Sequence, residues 1–171
     1  MVDERAKGIK LLVMDVDGVL TDGRVIYANS GDALKFFDVT DGMGLSLWSR
    51  AGLKSAILTA RKSRIVSRRS KDIHIDKVYQ NAFRKLEVFE RILNDFKVSS
   101  EEVCFIGDDV IDMPVLRRVG LAVCVPNSVE EVKNEVHYIT KREGGRGAVR
   151  EVTDMILKAQ GKWTELMQRY I

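Results

Sequence analysis

Apolar and polar positions divide the chain into short apolar runs and longer segments of mixed character. Short continuous apolar runs bounded by turn residues are typical of strands that are buried on both faces of a sheet. Five such runs, and a shorter one at a sheet edge, are predicted as strands: residues 10–14, 53–58, 75–79, 103–106, 121–125 and 138–140. The intervening segments predict helices, the first of them capped by Asp41: 41–51, 64–71, 82–96, 111–118, 129–134, 148–159 and 162–170.

Strands that alternate with helices predict an α/β fold, a Rossmann-like doubly wound parallel sheet. The pattern indicates one domain over residues 1–171, with neither a linker nor an insertion large enough for a second domain. The last part of the domain, residues 144–171, is a glycine-rich tail followed by two helices. Its glycines allow two interpretations, an idle linker or a hinge for a mobile lid.

One segment interrupts the alternation. The β-prone runs 24–27 and 34–37 flank the turn-rich residues 29–32, and together they predict a β-hairpin inserted at 24–37. Both arms carry apolar residues, which need a surface to pack against. That surface is either the hairpin's own domain or a neighbouring subunit.

Composition and charge exclude several classes of function. The 171 residues carry a net charge of +3 with acidic and basic residues interspersed, which disfavours a nucleic-acid-binding protein. No apolar run is long enough to span a membrane, and the polar N-terminus lacks a signal-peptide pattern, so we expect a cytoplasmic protein. Cys104 and Cys124 lie in strand-like runs and are expected to be buried core residues.

Polar side chains follow the predicted strands where the strands end. Asp15 and Asp17 follow the first strand, Thr59 ends the second, and Asp108 and Asp109 follow the fourth. The carboxyl ends of parallel strands share one edge of the sheet, where ligands bind. Carboxylates placed after buried strands need a positive partner, and oxygen ligands favour Mg²⁺.

Two further residues complete this group. Asp112 lies one helical turn beyond Asp108, and Lys85 opens the helix after the third strand. Carboxylates, a hydroxyl and an ammonium group suit phosphoryl transfer, in which a carboxylate attacks phosphorus while cations and donors hold the phosphoryl oxygens. A second carboxylate can move the proton of the leaving group and of the attacking water.

These residues resemble the four motifs of the haloacid dehalogenase superfamily of phosphatases. Residues 15–21 are similar to the first motif, Leu58 and Thr59 to the second, Lys85 to the third and residues 107–112 to the fourth. Four motifs in the family's order are far more specific than a single Asp-x-Asp. The resemblance implies a haloacid dehalogenase-like fold and a magnesium-dependent phosphomonoesterase that passes through an aspartyl-phosphate.

The resemblance also implies roles for individual residues. Asp15 is the expected nucleophile and a Mg²⁺ ligand, and Asp17 the general acid and base, with its backbone carbonyl on the metal. Thr59 and Lys85 are expected to hold the phosphoryl group. Asp108 completes the metal ligands, and the residues that support the metal shell or Lys85 are Asp109 and Asp112.

The chain further resembles a capless subclass of the superfamily, because it combines the hairpin with the segments 41–44, 60–63 and 144–151. The implied substrate is 3-deoxy-D-manno-octulosonate 8-phosphate, an intermediate of lipopolysaccharide biosynthesis. The resemblance implies a homotetramer with the hairpins at its centre and a tail that closes a neighbour's active site. Two alternatives stay open: a nine-carbon sugar-acid phosphate of the sialic-acid type as substrate, or a non-catalytic oligomerisation module.

Three arginines are candidates for binding the substrate. A sugar acid carries a carboxylate, and guanidinium groups bind carboxylates in a forked geometry. Arg61 follows the second strand, whereas Arg146 and Arg150 lie in and after the glycine-rich stretch. The alternative for all three is an exposed position on the surface.

Overall fold

The computed structural model describes residues 2–29 and 34–170. All paired strands of the sheet run parallel, in the spatial order β3-β2-β1-β4-β5-β6. The strands are β1 Leu11–Met14, β2 Lys54–Leu58, β3 Lys77–Tyr79, β4 Val103–Gly107, β5 Leu121–Cys124 and β6 Tyr138–Ile139. The doubly wound parallel sheet predicted from the sequence is confirmed.

One helix precedes the first strand, and the others connect the strands or follow the last one. They are α1 Val2–Lys7, α2 Val39–Arg50, α3 Arg64–Asp72, α4 Lys85–Phe96, α5 Met113–Leu116, α6 Glu130–Lys133, α7 Ala148–Ala159 and α8 Trp163–Met167. Short 3₁₀ turns cover residues 100–102, 110–112 and 168–170. No helix in the described part of the chain is long and apolar enough to cross a membrane.

Helices cover both faces of the sheet. Successive strand residues point to opposite sides, so each face has its own core. On one side Leu12 and Met14 of β1 belong to a core that includes Trp48 of α2 and Ile156 of α7. On the other side alternate strand residues pack with side chains of α4 and α5: Leu11, Val13, Phe89, Ile92, Val115 and Leu116. The four residues of β1 are fully buried, which explains why the sequence reads as a continuous apolar run.

The cap of α2 differs from the sequence-based prediction. Asp38, not Asp41, accepts the hydrogen bond from the Thr40 amide at 2.7 Å and is the N-cap residue. Asp41 lies in the first turn and turns instead toward α7, where its Oδ1 accepts from the Arg150 amide at 2.8 Å. The Asp41 carboxylate thus ties the beginning of one helix to the beginning of another.

The segment that predicts a hairpin has no regular strand in its described part. Residues 24–27 and 34–38 carry no helix or strand, and Ala28 forms an isolated β-bridge. Most of the predicted turn, residues 30–32, lies outside the described residues, so the hairpin stays a prediction. Several apolar side chains of the arms are exposed: Val25, Tyr27, Leu34 and Phe36.

Candidate active site

Three neighbouring strands bring the predicted residues together. Met14 at the end of β1 lies in register with Ile57 of β2 and Ile106 of β4. The residues that follow therefore leave the sheet side by side at its carboxyl edge. They line a cleft of about 150 Å³, together with Ala60 and Ile111: Asp15, Asp17, Thr59, Arg61, Asp108 and Asp109.

Lys85 lies beneath this cleft with a side chain that is fully buried. Its Nζ atom is 2.6 Å from Asp15 Oδ2 and 2.5 Å from Asp112 Oδ1. Burial alone would lower the pKa of Lys85, but the two carboxylates outweigh it and raise that pKa above its usual value. The ammonium group is therefore a fixed positive charge next to the expected nucleophile.

The carboxylates of Asp15 and Asp108 crowd one another. Burial raises the pKa of Asp15 to about 6, although the attraction of Lys85 opposes the shift. Burial and the negative charges of Asp15 and Asp112 raise the pKa of Asp108 to about 7. Shifts in this direction mark a site that lacks positive charge and would gain from binding a cation.

One carboxylate oxygen from each of Asp15, Asp108 and Asp112 lies within 4.8 Å of the others. The donor set is all oxygen, which fits Mg²⁺ better than softer metals. Asp112 is already engaged: its Oδ2 accepts from the Asp108 amide at 3.0 Å, and its Oδ1 pairs with Lys85. Asp15 and Asp108 line the cleft, whereas Asp112 is not among its lining residues, so Asp15 and Asp108 are the side chains best placed to bind an ion there. The side chain of Asp17 lies outside this group. That the backbone carbonyl of Asp17 binds the metal is what the resemblance implies, and it stays a prediction.

Asp17 is held by two cations. Its Oδ1 accepts a hydrogen bond from Lys35 Nζ, and its Oδ2 lies 3.6 Å from Arg61 Nε. Arg61 also donates to the Tyr27 hydroxyl at 3.0 Å. Lys35 was not predicted as a site residue, because a lysine within a β-prone run gives no signal of the partner it will meet.

The loop after Asp15 is packed against two other segments. The Thr21 hydroxyl accepts from the Gly18 amide and donates to the Val16 carbonyl, each at 3.3 Å. Gly18 has a φ of +91°, and a Cβ on it would lie 1.9 Å from Asp108 Oδ2. Only glycine allows the first loop to approach the fourth-motif carboxylate this closely.

Gly144 and Gly145 support the other side of this loop. A Cβ on Gly144 would lie 1.7 Å from the Gly18 carbonyl oxygen, and the Gly145 amide donates to the Val19 carbonyl at 2.9 Å. Both glycines lie packed against their own chain's first loop in this structure, and the two interpretations, a hinge or an idle linker, stay predictions. A lid supplied by a neighbouring subunit stays a prediction.

The remaining predicted residues lie at different distances from the cleft. Asp109 lines it and caps the following 3₁₀ turn through the Val110 amide. Arg146 lines a separate cavity of about 510 Å³ beside Asp22 and Asp38. Arg150 pairs with Asp154 at 2.7 Å along α7 and lines another cavity with Thr40 and Arg142. The structure thus brings Arg61, but neither Arg146 nor Arg150, to the cleft of the same chain.

Comparison with known proteins agrees with this geometry. The family described as haloacid dehalogenase-like hydrolase matches residues 49–152, more than half of the chain. The chain belongs to this family. The resemblance that the four motifs indicated is thereby confirmed.

Relatives within the haloacid dehalogenase-like hydrolases cover nearly the whole chain. The 3-deoxy-D-manno-octulosonate 8-phosphate phosphatase of Escherichia coli K12 is 42% identical over 161 residues, 94% of this chain and 86% of the relative. The Moraxella catarrhalis phosphatase of the same name, solved with magnesium, phosphate and KDO, is 38% identical. It superposes with a TM-score of 0.97 over 99% of this chain and 98% of its own.

A third relative was solved with a different metal. The cobalt-bound deoxy-D-mannose-octulosonate 8-phosphate phosphatase of Haemophilus influenzae is 37% identical, with a TM-score of 0.89 over 92% of each chain. Two of these three similar proteins therefore have structures that hold a metal ion. The carboxylates of this chain are ligands that would suit such an ion.

Proposed function

We propose that this protein is a Mg²⁺-dependent phosphomonoesterase that hydrolyses 3-deoxy-D-manno-octulosonate 8-phosphate to the free sugar acid and phosphate. The observation that carries the proposal is the Asp15 carboxylate, which lies between Lys85 and Asp108 at the floor of the cleft. The similarity over almost the whole chain to phosphatases of that name supports the choice of substrate. The place of this reaction is lipopolysaccharide biosynthesis.

In the first half-reaction an Asp15 oxygen attacks phosphorus, and the bond between phosphorus and the sugar oxygen breaks. Asp17 gives its proton to the departing alkoxide. Lys85 and the buried Thr59 at the end of β2 hold the phosphoryl oxygens. The products of this step are the free sugar acid and an aspartyl-phosphate at Asp15.

In the second half-reaction the Asp17 carboxylate takes a proton from water while the water oxygen attacks phosphorus. The bond to the Asp15 oxygen breaks, so that inorganic phosphate leaves and both carboxyl groups regain their starting states. Asp15, Asp108 and the Asp17 backbone carbonyl would hold Mg²⁺, which offsets the repulsion between the nucleophile and the phosphate. Asp112 positions Lys85, and Asp109 caps the loop that carries Asp108.

Specificity for a sugar acid requires a cation for its carboxylate. Arg61 lies at the cleft with about half of its side chain exposed, and is therefore available to a ligand. Arg146 and Arg150 would reach a substrate only across a subunit boundary, because within one chain they lie outside the cleft. We place them among the residues that would contact substrate in the neighbouring subunit.

A homotetramer would explain the exposed apolar side chains of the arms. Tyr27 is 74% exposed, Leu34 65% and Phe36 57%, which is unfavourable in a monomer. Their position beside Arg61 and Asp17 means that a subunit packed on them would also shield the cleft from water. Sedimentation velocity tests the assembly, and a monomer at micromolar concentration would contradict it.

We place the enzyme in the cytoplasm, where the free Cys104 and Cys124 would stay reduced.

The function is tested by phosphate release from eight- and nine-carbon sugar-acid phosphates, with and without Mg²⁺. We expect the eight-carbon ester to have the highest kcat/KM, and chelation to abolish turnover. A preference for the nine-carbon ester would favour the alternative substrate. The matched control is Asp15→Asn, which keeps the side chain's shape. If the wild type released no phosphate from any ester, the role of a non-catalytic oligomerisation module would be favoured. If Asp15→Asn kept full activity, Asp15 would not be the nucleophile.

A further inference from the structure

We propose that Lys35 is a positioning residue for Asp17: it holds one oxygen of this carboxylate so that the other faces the leaving group. This inference rests on the proposed function, because it assigns Lys35 to the proton-transfer step of that reaction. The geometry that supports it is an ion pair between Lys35 Nζ and Asp17 Oδ1 at the rim of the cleft.

The orientation of Lys35 is opposite to what its sequence neighbours favour. Leu34 and Phe36 are largely exposed, whereas the side chain of Lys35 between them is only 10% exposed. An extended segment on a protein surface normally buries its apolar residues and leaves a lysine in solvent. Here the reverse pattern points the lysine inward, where the Asp17 carboxylate is the partner that offsets its burial.

The two cations at Asp17 have different environments. Lys35 is 10% exposed, whereas Arg61 is 50% exposed and 3.6 Å from Oδ2. A partly solvated pair at that distance is weak and is screened by salt. Lys35 therefore sets the orientation of the carboxylate, and Oδ2 is left on the side of the cleft that Arg61 lines.

Orientation matters because proton transfer needs the donor within hydrogen-bonding distance of the ester oxygen. Asp17 lies in a loop and not in a strand, so the sheet does not fix its side chain. Without Lys35 the carboxyl group could rotate toward Arg61 or solvent. Chemistry that requires a proton donor would slow, whereas attack by Asp15 on phosphorus would not.

The test compares two esters of similar shape, p-nitrobenzyl phosphate and p-nitrophenyl phosphate. The first leaves as an alkoxide and needs a proton; the second leaves as a stabilised phenolate and does not. The value of kcat/KM reports the steps up to phosphorylation of Asp15. For Lys35→Met we expect kcat/KM to fall about tenfold for the benzyl ester and less than about twofold for the phenyl ester. Because neither ester carries a carboxylate, a lost contact between Lys35 and a substrate carboxylate cannot produce this difference.

Three further variants sharpen the comparison. Lys35→Arg keeps the charge and should recover most of the lost rate. Lys54→Met removes a lysine whose Nζ is 2.8 Å from Asp76 Oδ1 at the opposite end of the sheet, and should leave both esters unaffected. In the Asp17→Asn background, Lys35→Met should cause no further loss for the benzyl ester, since the group that it positions is gone.

Equal losses for both esters would overturn the inference, as would a full additional loss in the Asp17→Asn background. Either result would mean that Lys35 acts on the phosphate or on folding, and the melting temperature would distinguish these two explanations. Failure of the proposed function is recognised separately: the wild type would hydrolyse neither ester, or Asp17→Asn would show no preference for the better leaving group.

Discussion

Replacing Gly144 with alanine should disturb the loop that carries Asp17, although Gly144 itself does not line the cleft. The added Cβ would lie 1.7 Å from the Gly18 carbonyl oxygen and 2.6 Å from the carbonyl carbon. The two backbones would have to separate by roughly 1.5 Å to restore an ordinary contact. Gly18 has little room to retreat, because the Asp108 carboxylate lies next to it: a Cβ on Gly18 would be 1.9 Å from Asp108 Oδ2.

The separation must therefore come from Gly144. Its amide donates to Asn127 Oδ1 at 3.1 Å, and the Gly145 amide donates to the Val19 carbonyl at 2.9 Å. Loss of two hydrogen bonds costs about 2 kcal/mol, and residual overpacking adds about 1–3 kcal/mol. At about 2–4 °C per kcal/mol for a chain of this size, the melting temperature should fall by about 10 °C. The first loop would then lose the hydrogen bond from the Gly145 amide, and a resulting misplacement of Asp17 by about 1 Å should lower kcat/KM about 100-fold.

Scanning calorimetry and hydrolysis of p-nitrobenzyl phosphate, whose leaving group needs the proton of Asp17, measure the two effects when activity is assayed well below the melting temperature. The control is Gly8→Ala, where the nearest atom to a Cβ is the Arg5 carbonyl oxygen at 3.9 Å. It should change neither quantity. If Gly144→Ala melted and reacted like the wild type, the contact with Gly18 would not limit the loop, and the reasoning from close packing would be refuted.

Three further predictions concern buried charges. Lys85→Met leaves Asp15 and Asp112 without their shared cation. The free energy of unfolding, measured in urea, should fall by about 3–5 kcal/mol, and kcat should fall about 10²–10³-fold. A variant as stable as the wild type would contradict this. Burial raises the pKa of Asp41 to about 6, so the stability that its protonated form contributes is lost as pH rises. The unfolding free energy of the wild type relative to Asp41→Asn should therefore fall by about 3 kcal/mol between about pH 3 and pH 7, and a flat difference would be inconsistent with the shift. Burial also raises the pKa of Asp108 to about 7, so a proton competes with Mg²⁺ for this carboxylate below pH 7. Calorimetry should therefore show the affinity for Mg²⁺ falling up to about tenfold for each pH unit below pH 7. Binding that does not depend on pH would contradict a protonated Asp108.

The sheet and its chemistry could be predicted from the sequence because both depend on local patterns. The strands are continuous apolar runs, and Asp15, Thr59 and Asp108 are the polar residues that directly follow three of them. Parallel pairing then brings these residues to one edge without further information. Lys85 belonged to the same set, since it opens the helix after the third strand.

Other features depend on contacts between distant parts of the chain. The polar helix α1 was not predicted, and tertiary bonds help to hold it: Gln160 donates to the carbonyls of Ala6 and Ile9. Asp38 and Asp41 are both suitable caps for α2 by residue type, and α7 decides between them by drawing Asp41 away. No local pattern in the sequence carries such information.

The glycines of the first loop and of residues 144–145 were also beyond local reasoning. A glycine at a hinge and a glycine where two backbones approach closely look the same in a sequence. Only the neighbouring atoms distinguish these cases, and here they are the Gly18 carbonyl and the Asp108 carboxylate. Lys35 was missed for the same reason, since its partner lies in another loop.

The order of the strands has a consequence for how the protein becomes active. β1 lies between β2 and β4, and each of these parallel pairs requires a long excursion of the chain before it can close. Asp15 meets Lys85 70 residues further along, and Asp112 beyond it. A partly folded chain that has formed only local helices and the β1–β2 pair therefore lacks Lys85 and Asp108, the proposed partners of Asp15. Enzymatic activity in this protein reports that the centre of the sheet is complete, because no shorter folding unit contains the site.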